Sequence, residues 1–356
     1  TAYELMPSLV GSEMCIRDSA QTLASGSHTW TALINGEMLE DEDAWRPVGE
    51  VLEVVERHPE AFEGLEPCAS VGIWVSSDTA FFYRSREMGI YHRVEVATEE
   101  DLVARGGSGD RIRELSGQKE ISDRIAREET YGIFALLTHS GLLNRFVLGR
   151  TPDLKGLKVL FLPNVACLGE GEKGRIRDFV RDGGAVVASF ESGRYGPDGE
   201  PAEDDFFREF LGVEEVQGTF PLEVREEYIR VREPFGSFRP GELIPRPTYA
   251  LRVVSEGDAE APAAFLEVTG QHYAPLKGES PHPALILRNY GRGRVVYLPA
   301  LFGEFYYRYR EGRVERLLRD LVHSLLGEGP PVEMEGPPSV VCEVYRKGEI
   351  LSLIHI

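Results

Sequence analysis

The pattern of apolar residues along the chain predicts strands and helices in alternation. Apolar runs at 71–75 and 159–163 are too short for buried helices and predict buried strands. An amphipathic helix follows, with the apolar residues of 176–180 on one face, and ends at the glycines 183–184. A third buried strand comes next, at 185–190. Strand, helix and strand at this spacing form a βαβ unit, which predicts a parallel sheet.

The rest of the chain adds two kinds of segment. Apolar residues at helical spacing predict helices at 43–62, 122–143 and 314–325. Between them, residues 217–270 alternate strand-like segments with turns and predict a β-rich insertion. Two apolar runs joined by a glycine-containing turn predict a β-hairpin at 283–298. We therefore expect an α/β fold with a parallel sheet and a β-rich insertion.

The two ends of the chain can be encoded by one short DNA read on opposite strands. Residues 14–19 can be encoded by ATG TGT ATA AGA GAC AG, and residues 351–356 by CTG TCT CTT ATA CAC ATC. The reverse complement of the second string contains the first. Inverted ends of this kind resemble the adapters attached to sequencing libraries, and such segments are set aside before fold reasoning. We therefore expect residues 1–19 and 351–356 to be adapter-derived tails that do not pack in the fold, and the biological sequence to be an internal piece of a longer gene.

Composition indicates a globular, acidic protein. Hydrophobic residues make up 42% of the chain, and the formal net charge is −20. Nucleic acid is not an expected partner, because binding to phosphates requires a basic face. A membrane is not expected either, since no apolar run approaches the roughly 18 residues of a spanning helix.

Cysteine and histidine spacing predicts no metal site and no cofactor. Outside the tails, Cys68, Cys167 and Cys342 are too widely spaced for a disulfide framework or a CxxC metal site, which favours a reducing, cytoplasmic compartment. The histidines show no His-Glu-x-x-His spacing. The glycines at 291 and 293 lie between two strands and form no dinucleotide fingerprint.

Three segments carry a resemblance to a known family. They are VLFLPNVACL at 159–168, FVRDGGAVVASFES at 179–192 and NYGRGRVVYLP at 289–299. In order and spacing they resemble the beta-galactosidase trimerisation domain, the middle module of certain glycoside hydrolases. The resemblance covers about residues 68–326 and implies a flavodoxin-like sheet, as in class I glutamine amidotransferases. The sequence departs from relatives after Ser192, where they carry a Thr-Ser-Leu-Tyr-Asp-like run.

The resemblance also implies a domain order and a function. In such relatives the module follows a catalytic (β/α)8 barrel and precedes a small β domain. Residues 20–67 then correspond to the end of the barrel and a linker helix, 68–327 to the module, and 332–350 to the start of the β domain. A barrel needs about 200 residues or more, so the two catalytic carboxyl groups lie outside this chain. We expect a non-catalytic module that joins subunits, with a trimer favoured, and that meets carbohydrate through the missing barrel.

Two further hypotheses concern chemistry within the chain. Cys167 follows a buried strand, where the nucleophile of a free-standing amidotransferase-like enzyme would lie, and this enzyme is the alternative function. No His-x-Glu pattern follows, since His282 precedes Pro283, and we expect Cys167 to be inert. Ligands of open α/β sheets bind at the carboxyl ends of the strands. That rule predicts a sugar-facing crevice with these side chains: Asp78, Tyr83, Asn164, Glu191 and Tyr195.

An aromatic segment predicts a partner surface. Six rings crowd the segment that leads into the final helix: Tyr297, Phe302, Phe305, Tyr306, Tyr307 and Tyr309. Aromatic residues are enriched in the cores of interfaces. The alternative is that these rings pack within the subunit.

Overall fold

The computed structural model describes residue 22 and these parts of the chain: 42–59, 62–87, 110–202, 205–221, 227–257, 259–269, 273–327, 342–348 and 350–355. Two compact units contain them, one made of Thr1–Ala69 with Val332–Ile356 and the other of Ser70–Pro331. The predicted tail at 1–19 lies outside the described residues.

The elements are numbered here in chain order. The helices are α1 Glu42–Arg57, α2 Ser77–Phe82, α3 Asp110–His139, α4 Glu170–Arg181, α5 Phe302–Tyr309 and α6 Gly312–Leu326, with a short π-helix at Phe206–Phe210. The strands of the first half are β1 Glu66–Pro67, β2 Val71–Val75, β3 Asn144–Leu148, β4 Val159–Leu162, β5 Ala185–Ser189, β6 Val213–Thr219 and β7 Tyr228–Val231. Those of the second half are β8 Leu243–Pro245, β9 Leu251–Ser255, β10 Glu260–Leu266, β11 Glu279–Tyr290, β12 Gly293–Leu298, β13 Cys342–Lys347 and β14 Ile350–His355.

The first unit contains α1 and a three-stranded antiparallel sheet in the order β1-β13-β14. Strands β13 and β14 form a hairpin in which Lys347 pairs with Ile350 and Cys342 with His355. Gly348, at φ 61°, supplies the left-handed backbone of the turn. The expectation that residues 351–356 stay outside the fold is therefore wrong for 351–355. Four of the six residues 350–355 are apolar and follow a tight turn, a composition that suits a strand whatever DNA encoded it.

The second unit is built on a nine-stranded mixed sheet in the order β3-β2-β4-β5-β12-β11-β10-β7-β8. The first five strands are parallel, and the remaining neighbours pair antiparallel. Strands β6 and β9 form a separate antiparallel pair. The predicted α/β class, the βαβ unit of β4, α4 and β5, the hairpin of β11 and β12, and the β-rich insertion are confirmed.

Helices cover the parallel part of the sheet on both faces, because its strands are apolar on both sides. Within β2, Ile73 packs in one core with Leu136 of α3 and Leu321 of α6. The next residue, Trp74, packs in the other core with Ile176 of α4. Both side chains are fully buried.

Helices α3 and α5 cross at very short distance. A Cβ atom on Gly132 would lie 1.8 Å from the carbonyl oxygen of Gly303, so the crossing requires glycine at this position. This contact brings the start of α5 against the middle of α3. It also brings the buried carboxyl groups of Glu129 and Glu304 close to each other.

The sequence did not predict β3, the edge strand, and placed the adjoining helix at 122–143 instead of Asp110–His139. Strand β3 has the sequence Asn-Arg-Phe-Val-Leu, and only Val147 of its residues is buried. An edge strand of this kind shows no continuous apolar run, so its strand character comes from pairing with β2. No described helix is long and apolar enough to cross a membrane.

Candidate functional site

The carboxyl ends of the parallel strands turn sharply into their loops. Asn164, two residues after β4, has φ 46°, and Phe190, directly after β5, has φ 50°. Left-handed backbone is uncommon for residues other than glycine and is a strained conformation for a bulky side chain. Two bonds hold Phe190 in place: its N–H donates to the carbonyl oxygen of Leu298 (2.8 Å), and its carbonyl oxygen accepts from the hydroxyl of Tyr297 (2.6 Å). The next residue, Glu191, is thereby directed inward.

The carboxylate of Glu191 is the centre of a buried hydrogen-bond network. The hydroxyl of Tyr83 donates to its Oε2 (2.6 Å), and the hydroxyl of Tyr195 donates to its Oε1 (2.8 Å). The guanidinium of Arg194 lies 3.2 Å from Oε1. The backbone N–H of Glu191 donates to Oδ1 of Asn164 (3.2 Å). Burial, and then the charge of Glu191, raise the pKa of both tyrosines well above the usual value, so both remain protonated donors at neutral pH.

Four of the five residues predicted to face a sugar therefore meet: Tyr83, Asn164, Glu191 and Tyr195. All four are buried, and they bond to one another. The fifth, Asp78, stands apart and pairs with Arg150 at 3.1 Å. Contact of these residues with a sugar stays a prediction. In the structure they tie together the loops that follow β2, β4 and β5.

Cys167 is buried among the same loops. Its backbone N–H donates to the hydroxyl of Thr79 (3.0 Å), and its carbonyl oxygen accepts from the hydroxyl of Ser76 (3.2 Å). Burial and the nearby Asp78 raise the pKa of the thiol to about 12, whereas nucleophilic cysteines have a lowered pKa. His282 bonds instead to the carbonyl oxygen of Val253 and packs against Phe220. Neither the raised pKa of Cys167 nor the contacts of His282 favour the amidotransferase-like alternative.

Beside the network lies an open cavity of about 640 Å³, which we call the α3 cavity. It runs between α3 and the carboxyl ends of β2, β3 and β4. Its lining is mostly apolar, with polar side chains from α3. The lining residues that matter below are Val75, Asp123, Arg127, Tyr131, Phe146 and Leu148. Sequence reasoning missed the cavity because β3 was not predicted, and because Asp123, Arg127 and Tyr131 have the pattern of an ordinary solvated helix face.

Exposed apolar side chains surround this cavity, and we call them the apolar rim. Four of them line the cavity, and two follow its lining residue Ala80 along the chain: Val75, Tyr131, Phe146, Leu148, Phe81 and Phe82. Leu148 is 60% exposed and Phe81 is 69% exposed. Clustered exposed apolar groups mark interaction surfaces more often than single ones do.

The aromatic segment before the final helix packs mainly within the subunit. Tyr297, Phe302 and Tyr306 are buried, and Phe305 packs against the same core. Tyr307 and Tyr309 remain exposed. The alternative interpretation thus describes most of this segment. Among the described residues, the apolar rim contains more exposed apolar side chains than this segment does.

A second buried carboxyl group lies where α3, β5 and α5 meet. Oε1 of Glu129 accepts from the hydroxyl of Ser189 (2.8 Å), and Oε2 accepts from the backbone N–H of Glu304 (2.8 Å). Burial raises the pKa of Glu129 to about 8 and that of Glu304 to about 7. The sequence contains no signal for this junction, because a glutamate in a charged helix is expected to be exposed.

Comparison with solved structures finds the same fold in glycoside hydrolases. A beta-galactosidase from Bacillus circulans sp. alkalophilus superposes with a TM-score of 0.60 at 16% identity, over 88% of this chain and 39% of that one. The alpha-L-fucosidase isoenzyme 2 from Paenibacillus thiaminolyticus gives 0.61 at 17%, over 94% and 44%. A catalytic mutant of a GH42 beta-galactosidase from G. stearothermophilus gives 0.58 at 14%, over 90% and 39%. At these identities the likeness establishes the fold alone, and this chain spans less than half the length of each of these proteins.

Comparison with protein families identifies the family as well as the fold. No curated protein sequence matches the chain. Residues 137–328, more than half of the chain, match the family described as the beta-galactosidase trimerisation domain. They include β3, β4, β5, the β-rich insertion and the final helix α6. The chain therefore belongs to the beta-galactosidase trimerisation domain family.

Proposed function

We propose that this chain joins the subunits of a beta-galactosidase-like glycoside hydrolase, as a trimer, and helps to wall that enzyme's active site. Membership of the trimerisation family supports the association. The fold shared with a beta-galactosidase and a fucosidase supports the kind of parent protein. In this proposal the catalytic barrel is not contained in the chain, and carbohydrate reaches the module through the barrel.

The finer classification is a flavodoxin-like sheet of the class I amidotransferase type. Its support is the order of the parallel strands, β3-β2-β4-β5-β12. Numbered from the first of them in the chain, this is 2-1-3-4-5, the order of flavodoxin-like sheets. We further propose the domain limits 20–67, 68–327 and 332–350, with 1–19 and 351–356 of adapter origin.

The single observation that carries the association is the apolar rim. Phe81, Phe146 and Leu148 present apolar surface on a chain whose net charge is −20. Strand β3 is also an edge of the main sheet, with one side of its backbone unpaired in the sheet. Exposed edges and apolar patches are sites of association unless a partner covers them. We assign the part of the rim outside the cavity lining, Phe81 and Phe82, to contact between copies.

The three buried glutamates that we have described, Glu129, Glu191 and Glu304, are placed for structure. Retaining glycosidases hold two accessible carboxyl groups about 5 Å apart around the scissile bond. Glu191 is enclosed by tyrosines, and Glu129 and Glu304 are enclosed between α3 and α5. None of these three is exposed to a substrate. Their burial supports a non-catalytic role for the module.

Light scattering on the full chain tests the proposal. At micromolar protein and moderate salt, which screens the acidic surface, we expect three times the mass of the 39.7 kDa chain. The double variant Phe81→Asp/Phe82→Asp should be monomeric, because it places charge in the part of the apolar rim that lies outside the cavity lining. Tyr309→Asp, at the exposed end of α5, is the matched control and should leave the mass unchanged. A monomeric wild type contradicts the association, and an oligomer that only Tyr309→Asp dissociates contradicts the assigned surface.

A further inference from the structure

The α3 cavity has the size, position and side chains of a ligand site. Its volume, about 640 Å³, lies within the range of small-molecule sites, about 300–1,000 Å³. It opens at the carboxyl ends of β2 and β4, on either side of the point where the strand order reverses. Open α/β sheets bind ligands at such switch points.

The polar side chains at the strand ends already form hydrogen bonds within the protein. The hydroxyls of Ser76 and Thr79 bond to the backbone of Cys167. The side-chain amide of Asn164 bonds to Glu191 and Tyr83. These residues therefore shape the floor of the cavity and offer a ligand few open hydrogen-bonding groups.

Helix α3 supplies the available polar groups. Among the residues that the structure describes, Arg127 has no carboxylate partner, although the chain carries a large excess of acidic residues. Asp123 holds Lys119 through Oδ1, and its side chain remains 41% exposed. The two residues are one helical turn apart on the same stripe of α3, about 6 Å along the axis. A donor and an acceptor thus lie side by side at the cavity.

Aromatic rings complete the site. Tyr131 continues the same stripe, lines the cavity and is half exposed. Phe146 faces α3 from the edge strand, and Phe134 stacks on it with ring centroids 5.3 Å apart, which fixes its orientation. Together with Val75 and Leu148 these rings give an apolar wall opposite polar groups.

We propose that the α3 cavity binds a pyranose sugar, an inference that rests on the glycoside hydrolase assignment above. A pyranose ring has an apolar C–H face, which packs on aromatic rings, and vicinal hydroxyls, which both donate and accept. Tyr131 and Phe146 match the first, and Arg127 with Asp123 match the second. A phosphate fits this site less well, because the Asp123 carboxylate beside Arg127 would repel it. A purely apolar ligand also fits less well, because it would remove water from Arg127 and Asp123 without replacing their hydrogen bonds to water.

Lactose, which has two pyranose rings, is the probe. In calorimetric titration of the full chain we expect saturable binding that Arg127→Ala weakens about tenfold, the loss expected for one hydrogen bond to a charged group. Tyr131→Ala should also weaken binding, because it removes the ring that packs on the sugar. Arg292→Ala and Tyr309→Ala, exposed residues on other elements, are the matched controls and should bind as wild type. Melting curves establish that each variant is folded.

The outcomes separate this inference from the proposed function. No saturable binding of lactose or of methyl β-glucoside overturns the sugar site, as does equal weakening by the control variants. Binding of benzoate without binding of lactose overturns it too, since the site then selects an apolar anion. Light scattering on the same samples reports association independently. An oligomer that binds no sugar contradicts the site alone, and a monomer that binds lactose contradicts the association alone.

Discussion

The hydroxyl of Ser189 donates a 2.8 Å hydrogen bond to Oε1 of Glu129, and this bond joins the end of β5 to the middle of α3. The same hydroxyl accepts from the backbone N–H of Asn164 (2.9 Å), so the loop after β4 shares the contact. Through its other oxygen Glu129 holds the backbone N–H of Glu304 at the start of α5. One buried carboxyl group thus connects the strand ends to both helices of the α3–α5 crossing.

Protonation of Glu129 should make stability depend on pH. Burial raises the pKa of Glu129 from its usual value near 4.5 to about 8. The contribution of this group to the free energy of unfolding is therefore fully present below about pH 4.5. It is lost as the pH rises towards 8, at up to roughly 1.4 kcal/mol per pH unit. Glu129→Gln removes this loss. The variant should therefore show a flatter decline of the free energy of unfolding between pH 5 and 8. Part of the decline remains in the variant, because Glu304, with its pKa raised to about 7, also destabilises the fold as the pH rises.

In Glu129→Gln an NH2 group replaces one of the two accepting oxygens and faces another donor, either the N–H of Glu304 or the hydroxyl of Ser189. The free energy of unfolding of the variant at pH 5 should therefore be lower by about 1–3 kcal/mol. Urea unfolding at several pH values measures both effects. Glu120→Gln, at an exposed position of the same helix, is the control. Equal slopes in wild type and Glu129→Gln would show that Glu129 does not titrate as described.

Removal of one tyrosine hydroxyl should weaken the Glu191 network. Tyr195→Phe deletes the donor to Oε1 of Glu191 and the acceptor for the N–H of Arg86. The buried carboxylate keeps Tyr83 and Arg194 but loses one of its donors, which costs about 1.5–3 kcal/mol of unfolding free energy. Tyr290→Phe, whose hydroxyl accepts from Arg181 in an exposed bond, is the control and should change stability by less than about 0.5 kcal/mol. Similar losses in both variants would contradict the importance of the network.

Cys167 should resist alkylation. Its thiol pKa of about 12 leaves almost no thiolate at neutral pH, and the residue is fully buried. Iodoacetamide at pH 7 followed by peptide mass mapping should modify the partly exposed Cys68 well before Cys167. Rapid modification of Cys167 below neutral pH, with a measured pKa under about 7 as in activated cysteines, would revive the amidotransferase-like alternative.

The chain alone should not hydrolyse aryl glycosides. The buried carboxyl groups of the second unit cannot reach a glycosidic bond, and the proposed barrel lies outside the chain. Nitrophenyl galactoside and nitrophenyl fucoside should show no release of nitrophenol above buffer. Turnover by pure protein that is lost on mutation of one residue within 20–350 would place a catalytic site in this chain.

Much of the fold was predictable because it is encoded locally. The strands at 159–162 and 185–189 and the helix between them follow from short apolar runs and one amphipathic stripe, and the structure confirms them. The order of residues along the chain also predicted which loops would gather at the carboxyl edge, since parallel strands end on the same side. Asn164 and Glu191 do meet there.

What the chain could not reveal is how deeply those side chains are buried. Glu191 has the sequence context of a surface carboxylate after a strand, yet Tyr83, from a loop more than one hundred residues away, covers it. The aromatic segment at 297–309 predicted a partner surface, although its largest rings fill the core. Strand β3 lacked a recognisable apolar pattern in the sequence because it lies at the edge of the sheet and only Val147 of its residues is buried.

The α/β class, the parallel βαβ unit and the membership of the trimerisation family follow from the amino-acid sequence, because each depends on apolar spacing and residue order within short segments. Three properties become visible only in the folded protein. Glu129 is buried against Ser189, Arg127 lies at a cavity without a carboxylate partner among the described residues, and exposed apolar side chains lie at the rim of that cavity. These properties depend on residues distant in sequence. Burial, pKa and free hydrogen-bonding capacity are set by whichever groups the fold places alongside.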